Sequence, residues 1–416
     1  MANNKTILIL GCGVGGMVTA NELRRGLGRN HKIIVVDKST EHVSYSSALW
    51  LMTGIREPAE IKKELSRLLL DGIDLVNEEI KGIDTANRTV ETSASRLSYD
   101  YLVISLGVSL APEKVPGLAE AFGKNAFNLY DFKGALDIRD RIKNFSKGDL
   151  IVMVSSLPYK CPVAPNEGSM LLSDFFAQRG VRNNINIKLF TPEVLPLGGN
   201  GPTTGKAVKG MMESMGIQYN PQHNVTSVDH EKGEIVFDKG TVKYDLLLAI
   251  PPHRAPQVVV DAGLTDGGWI PVNKGSLQTS LENVFAIGDV TKTKLPGEWK
   301  EGVPLMLSKG GVFAHYQAKV IAENISNEIN GISERVEYTG QGACFVETGS
   351  GRAALAEGNF FSEPHPNTVL KGPSKTLHLA KVLFEKFWLS DSFLKRPVDI
   401  LLEKTAYGEY KRVVSK

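Results

Sequence analysis

The chain has 416 residues, enough for two or three domains with full cores, and its 42% hydrophobic and 23% charged content is that of a globular protein. A net charge of +2 gives no electrostatic case for nucleic acid, and three cysteines exclude a disulfide-stapled framework. No apolar run reaches the roughly 18 residues that a membrane-crossing helix needs.

In chain order, the first element is Thr6-Ile-Leu-Ile-Leu10, an apolar run suited to a buried parallel strand. Gly11-Cys-Gly-Val-Gly-Gly16 follows at once, and Met17 to Leu27 reads as a helix. In this strand–turn–helix setting Gly11 serves the tight turn, Gly13 admits a pyrophosphate to the backbone, and Gly16 allows close helix–strand packing. Cys12, inside the turn, is expected to be a small apolar filler. Lys32-Ile-Ile-Val-Val-Asp37 reads as a second strand ending in a carboxylate, and Asp37 has the spacing expected of a ribose-binding acid. No export leader precedes the first strand, so the expectation is a protein on the cytoplasmic side of a membrane.

Tyr99-Asp-Tyr-Leu-Val-Ile-Ser-Leu-Gly107 reads as a further buried strand ending in glycine. Tyr244-Asp-Leu-Leu-Leu-Ala-Ile250 repeats that pattern, and Asn283-Val-Phe-Ala-Ile-Gly288-Asp289 is another strand, ending beside a predicted helix start. In their order along the chain, these segments resemble those of the pyridine nucleotide–disulfide reductase superfamily of flavoproteins. The resemblance implies FAD as the dinucleotide. Gly107, Gly288 and Asp289 join Gly11, Gly13, Gly16 and Asp37 as cofactor-binding residues, with Asp289 on the ribityl chain. A helix N-cap is the alternative, and compatible, role for Asp289. The fold class that follows is α/β, with two Rossmann-like dinucleotide-binding folds, one inserted in the other. The FAD-binding domain is split over 1–112 and 250–330, the second fold is 113–249, and 331–416 is a C-terminal region with amphipathic helices.

Leu150-Ile-Val-Met-Val154 opens the inserted fold. A nicotinamide enzyme would place a glycine loop next. This chain has Ser155-Ser-Leu-Pro-Tyr-Lys-Cys161-Pro-Val-Ala-Pro165 instead. Three prolines remove amide donors and fix φ, so the segment is unsuited to cradling a pyrophosphate, and NADH is disfavoured as reductant.

Tyr159-Lys-Cys161-Pro-Val-Ala-Pro-Asn-Glu167 and Gly340-Gln-Gly-Ala-Cys344-Phe-Val-Glu-Thr-Gly349 resemble the two redox-cysteine segments of sulfide:quinone oxidoreductases; the first also resembles that of flavocytochrome c sulfide dehydrogenases. Leu307-Ser-Lys309-Gly-Gly-Val-Phe-Ala-His-Tyr-Gln317 is similar to the segment placing a lysine near the flavin pyrimidine ring. The resemblance implies a Cys161–Cys344 disulfide beside FAD. Hydrosulfide attack on it would give a persulfide and a thiolate, and electrons would pass through the flavin to a membrane quinone. It places Cys344 nearer the flavin and the growing sulfur chain on Cys161, although spacing does not say which sulfur is attacked. Glu167 is implied as a general base or proton carrier, with a surface helix-start acid as the alternative. Lys309 is implied to stabilise reduced flavin, with a solvent salt bridge as the alternative.

The chain departs from the family pattern. No third cysteine stands shortly before Asn125–Asp131, and no histidine occurs there or in Thr191–Asn200, so product length and proton handling are left open. Ser44 stands where flavocytochrome-type relatives carry the FAD-linking cysteine, so FAD is expected to bind non-covalently. The alternatives are a sulfide dehydrogenase reducing a cytochrome, a type-II NADH:quinone oxidoreductase, and a non-enzymatic flavin redox sensor.

The last predicted feature is an amphipathic helix. His378 to Trp388 resembles the membrane-facing helix of the quinone enzymes. Leu379, Leu383 and Phe387, with Ala380, Phe384 and Trp388 beside them, form its apolar face, flanked by Lys375, Lys381 and Lys386. A second apolar run holds Phe393 and Leu394, before Pro397, and Ile400–Leu402, after it. Residues 369–416 carry ten Lys/Arg and five Asp/Glu. The expectation is an interfacial anchor, against an ordinary helix packed on the body or on a partner subunit, and a homo-oligomer is possible.

Overall fold

The computed structural model describes residues 4–300, 303–391 and 411–414. Thr6–Leu10 forms the middle of a five-stranded parallel sheet. The spatial order is Val284–Ala286, Tyr101–Ile104, Thr6–Leu10, Lys32–Val36, Asp74–Val76. Leu10 lies opposite both Val36 and Ile104, so the strands run out together and deliver Gly11, Asp37 and Ser105 to one edge. Ligands of open parallel sheets bind at that carboxyl edge. The helix Val14–Gly26 starts there.

A second parallel sheet repeats the arrangement, in the order Ala126–Asn128, Leu246–Ile250, Gly148–Val154, Ile185–Phe190, Ile217–Asn220. Val154 pairs with Ile250 and Asn128 with Ala249, so Tyr130, Ser155, Thr191 and His253 follow at its carboxyl edge. Between strand and helix the first fold spends only residues 11–13; the second spends residues 155–163 before the helix Ala164–Gln178 begins. The proline-bearing segment is this extended connection.

The C-terminal region opens with strands, which the sequence reading did not anticipate. Gln341–Gly349, Arg352–Asn359 and Asn367–Ser374 form an antiparallel sheet, and Val346 and Ala354 pack into the core of the second fold. Asp174 accepts from the Ser350 amide (2.9 Å) and hydroxyl (2.8 Å), pinning the hairpin turn to the Ala164–Gln178 helix. One helix, Lys375–Trp388, follows, N-capped by the Ser374 hydroxyl, which accepts from the Leu377 amide at 3.1 Å. Among the described residues no helix is long and apolar enough to cross a membrane. Phe393, Leu394, Pro397 and Ile400–Leu402 lie outside the described residues.

The helix keeps part of its expected apolar face outward and turns part of it, Trp388, inward. Leu379 (55% exposed) and Leu383 (60%) point away from the protein. The inward stripe is 378, 381, 385 and 388, the spacing of one helical face. Every member has a partner: His378 with Glu347, Lys381 with Glu167, Glu385 with Arg56, and Trp388 with His42. Lys381 is therefore not a surface lysine flanking an apolar face. It is buried, as are Glu385 and Trp388.

Candidate active site

The first fold's edge has the features of a dinucleotide cradle. Gly11 has φ +90°, and a Cβ on Gly16 would stand 1.8 Å from the Gly11 carbonyl oxygen. A side chain at either position is thus excluded by the turn itself. A Cβ on Gly13 would meet nothing within 4 Å, which leaves the backbone open to a ligand. Asp37 accepts from the Cys12 amide (2.7 Å) and the Ser39 amide (2.8 Å), which fixes the carboxylate beside the turn. The Cys12 thiol is buried and pushed up to about 12, first by burial and then by Asp37, so it is an unreactive filler. Gly107 also has positive φ, +63°.

Asp289 lies within a single 3-10 turn, Gly288–Val290, whose N-cap is Ile287, so it caps no helix. Its Oδ1 is buried without a hydrogen-bond partner, and burial raises its pKa against the pull of Lys309 and Lys160. A buried polar atom left unpaired calls for a ligand. The open Gly13, the placed Asp37 and the orphaned Asp289 oxygen together fit a flavin dinucleotide. The neighbouring cleft is lined by Gly288, Thr291, Leu307, Lys309, Phe313 and Gln317.

Lys309 is buried, and its Nζ donates to the carbonyls of Asp289 (2.6 Å) and Thr291 (3.0 Å), 3.4 Å from the centroid of the Trp269 ring. Burial pulls its pKa down to about 8, opposed by Asp289. The expected alternative, a solvent salt bridge, is not what the side chain makes.

Cys161 joins the two folds. Its amide donates to the Lys309 carbonyl at 2.7 Å, and Lys160 pairs with Lys309 in a parallel bridge. Its φ is +50°, a region that costs a residue with a Cβ about 1–2 kcal/mol. The conformation is held from both sides, because its carbonyl accepts from the Tyr130 hydroxyl (2.9 Å) and the Ala164 amide (2.9 Å). Backbone strain fixed in this way collects at functional positions.

Cys344 sits on the Gln341–Gly349 strand opposite Ala356. Both half-buried cysteines pack on the same core cluster, and Cys344 is close enough to raise the Cys161 thiol. They are separate thiols, not a disulfide. Burial pushes the Cys161 thiol well above its usual range, and Cys344 and Glu167 push it further. Burial likewise pushes Cys344 up to about 11, with Glu167 adding to the effect and Lys381 opposing it. A free thiolate is therefore disfavoured at both positions until a charge change offsets it.

Glu167 is on the first turn of the Ala164–Gln178 helix, where Pro165 and an acid both suit the helix N-terminus. It is buried, not a surface acid, and forms an ion pair with Lys381. Burial raises its pKa and the lysine lowers it. Lys381 also sits 4.5 Å from the Trp50 ring centroid, and Arg56, 4.6 Å above the same ring, pairs with Glu385 at 2.8 Å.

Two site residues escaped the sequence reading besides Lys381. Glu193 is buried, accepts from the Tyr159 hydroxyl (2.8 Å) and the Thr191 hydroxyl (3.2 Å), and is raised to about 7 by burial. His253 is buried, with Nδ1 2.8 Å from the Pro251 carbonyl and Nε2 unpartnered. Its place directly after the Leu246–Ile250 strand was the available signal.

The comparisons with known proteins agree with this architecture. The pyridine nucleotide-disulphide oxidoreductase family matches residues 5–142 and 172–305. The chain is 26% identical over 371 residues to the mitochondrial sulfide:quinone oxidoreductase of Dictyostelium discoideum, covering 86% of this chain and 78% of that one. It is 25% identical to the sulfide-quinone reductase of Aquifex aeolicus, covering 96% and 95%. The X-ray structure of the sulfide:quinone oxidoreductase from Aquifex aeolicus superposes with a TM-score of 0.85 at 22% identity, covering 99% of this chain and 97% of that one. A type II NADH:quinone oxidoreductase of Staphylococcus aureus is 23% identical over 82% of the chain and 87% of its own. With more than half of its length matched and both parallel sheets in place, the chain belongs to the pyridine nucleotide-disulphide oxidoreductase family.

Proposed function

We propose that the protein oxidises hydrosulfide through Cys161 and Cys344 and passes the electrons, by way of non-covalently bound FAD, to a membrane quinone. The observation that carries this reading is the strained Cys161, hydrogen-bonded to the Lys309 segment and within electrostatic reach of Cys344 and Glu167. It occupies the loop where a nicotinamide site would otherwise be built. Similarity to proteins named for sulfide and quinone supports the substrates.

Hydrosulfide attacks one sulfur of the oxidised pair, the Cys161–Cys344 bond breaks, and a persulfide on Cys161 and a thiolate on Cys344 result. Bound FAD supplies the two-electron acceptor that the protein itself lacks. Re-closure of the disulfide then releases one zero-valent sulfur, two electrons and one proton, so the sum is HS⁻ + quinone + H⁺ → sulfur + quinol. Glu167, buried and balanced by Lys381, takes the proton from the persulfide. Lys309 supplies positive charge beside the cofactor edge held by Asp289. The outward Leu379 and Leu383, with exposed Lys375 and Lys386 about one turn away, seat the protein on an anionic membrane surface from which quinone is drawn.

Anaerobic spectroscopy of the purified holoenzyme tests the reading. Hydrosulfide should bleach the flavin, a quinone analogue should restore it, and NADH should leave it oxidised. Rapid bleaching by NADH with no response to hydrosulfide would reject it.

A further inference from the structure

Lys160 is not used by the reaction as described, and its surroundings are unusual for a lysine. It is half-buried and has neither a carboxylate partner nor a hydrogen-bond acceptor among the described residues. Its Nζ lies instead 4.5 Å from the Tyr45 ring centroid and 5.7 Å from that of Tyr130. Tyr130 is the residue whose hydroxyl holds the Cys161 carbonyl. The nearby cations differ in this respect. Lys309 is engaged by two carbonyls, and Lys381 is neutralised by Glu167.

His253 completes the surroundings. Its ring meets Tyr130 edge-on at 5.5 Å, its Nε2 is buried and unpartnered, and burial keeps it neutral, with Lys160 and Lys309 adding to that effect. If Nδ1–H donates to the Pro251 carbonyl, Nε2 presents a bare lone pair. The group contributes an acceptor and no charge. Burial lowers the pKa of Lys160, opposed by Asp289, then Cys161 and Asp131. A half-buried ammonium with aromatic walls and no carboxylate in direct contact is set up to receive a small anion.

We propose that Lys160, with His253 sharing the Tyr130 ring as its neighbour, forms the subsite that takes up hydrosulfide as an anion and presents it to Cys161. The substrate class follows from the chemistry: a small monoanion carrying one hydrogen for the imidazole. The inference rests on the sulfide-oxidising reading above for the identity of the anion, but not for the existence of the site.

The test uses holoenzyme carrying Cys344→Ser, so that Cys161 is the reactive thiol. The rates of alkylation by iodoacetate (anionic) and iodoacetamide (neutral) are compared with Lys160 intact and in Lys160→Met and Lys160→Arg, with flavin content confirming the fold. Lys160→Gln replaces the methionine variant if the latter loses flavin. The iodoacetate-to-iodoacetamide ratio should fall about tenfold in the uncharged variants, the size of effect one nearby charge exerts in a partly solvated site, and should survive in Lys160→Arg. With Cys344 restored, the uncharged variants should require about tenfold more hydrosulfide for half-maximal flavin reduction, with the limiting rate changed less. An unchanged alkylation ratio, or a Cys161 that neither reagent reaches, would overturn the proposal. Failure of hydrosulfide to bleach the parent flavin while the charge-dependent ratio persists would remove the proposed activity and leave the anion site standing.

Discussion

Lys381 on the C-terminal helix forms a buried ion pair with Glu167, the carboxylate one turn into the helix that follows Cys161. The side that meets the second fold is thereby tied to the sulfur site, while Leu379 and Leu383 on the opposite side face outward. Lys381→Met leaves a buried carboxyl alone and should cost about 3–5 kcal/mol, whereas Lys381→Met with Glu167→Gln should cost much less. Urea denaturation of both variants checks this. Equal losses would show that the helix is held by packing and not by the pair.

The two glycines of the nucleotide turn should separate folding from binding. Gly13→Ala adds a Cβ that meets no protein atom, so stability without flavin should stay within about 0.5 kcal/mol of the parent while FAD affinity falls at least tenfold. Gly16→Ala drives a Cβ into the Gly11 carbonyl and should destabilise the chain by about 3 kcal/mol or more, with or without flavin. Melting temperature and bound flavin, measured on the same samples, distinguish the two outcomes.

Glu193 should leave a signature in the pH dependence of stability. Burial raises its folded pKa to about 7 from an ordinary 4.5, so the native state binds more protons than the unfolded state between those values. Its contribution is therefore fully present below about pH 4.5 and is lost as pH rises to about 7, by roughly 3 kcal/mol in all. Glu193→Gln cannot titrate, and the melting temperature should be less steep over that window. A parent and variant with parallel profiles would show that Glu193 titrates at the same pH folded and unfolded.

The outer face of the last helix should govern membrane affinity without touching the chemistry. Leu379→Ser with Leu383→Ser removes two exposed side chains, each worth about 1.5–3 kcal/mol if fully buried in lipid. Co-sedimentation with anionic phospholipid vesicles should weaken at least tenfold, while flavin reduction by hydrosulfide in solution stays at the parent rate. Undiminished sedimentation would place the membrane contact elsewhere.

Much of this was readable in the sequence, for a physical reason. Buried parallel strands need continuous apolar runs, and a dinucleotide turn needs glycines at fixed offsets, so Thr6–Leu10, Gly11–Gly16 and Lys32–Val36 announce themselves. The three prolines around Cys161 mark a loop unlike a phosphate cradle just as directly. The antiparallel sheet of Gln341–Ser374 was not legible. Glycines at 342, 349, 351, 358 and 372 dilute its two-residue alternation. In the last helix the apolar face was legible, with Leu379 and Leu383 outward, but the burial of Trp388 and Lys381 was not. The stripe of His378, Lys381, Glu385 and Trp388 had the same period, but its members turn inward, half-buried at His378 and buried at the other three, only because distant residues supply their partners. Lys160 and Glu193 raise the same difficulty: one is defined by the Tyr45 and Tyr130 rings, the other by the Tyr159 hydroxyl.

The central claim is that both sulfurs are needed between hydrosulfide and the flavin. Stopped-flow bleaching of the bound flavin by hydrosulfide, under anaerobic conditions, in Cys161→Ser and Cys344→Ser separately, measures it most directly. Each variant should keep its yellow colour and its reduction by dithionite, and each should lose at least a thousandfold in the hydrosulfide rate. Parent-like bleaching in either variant would contradict the account.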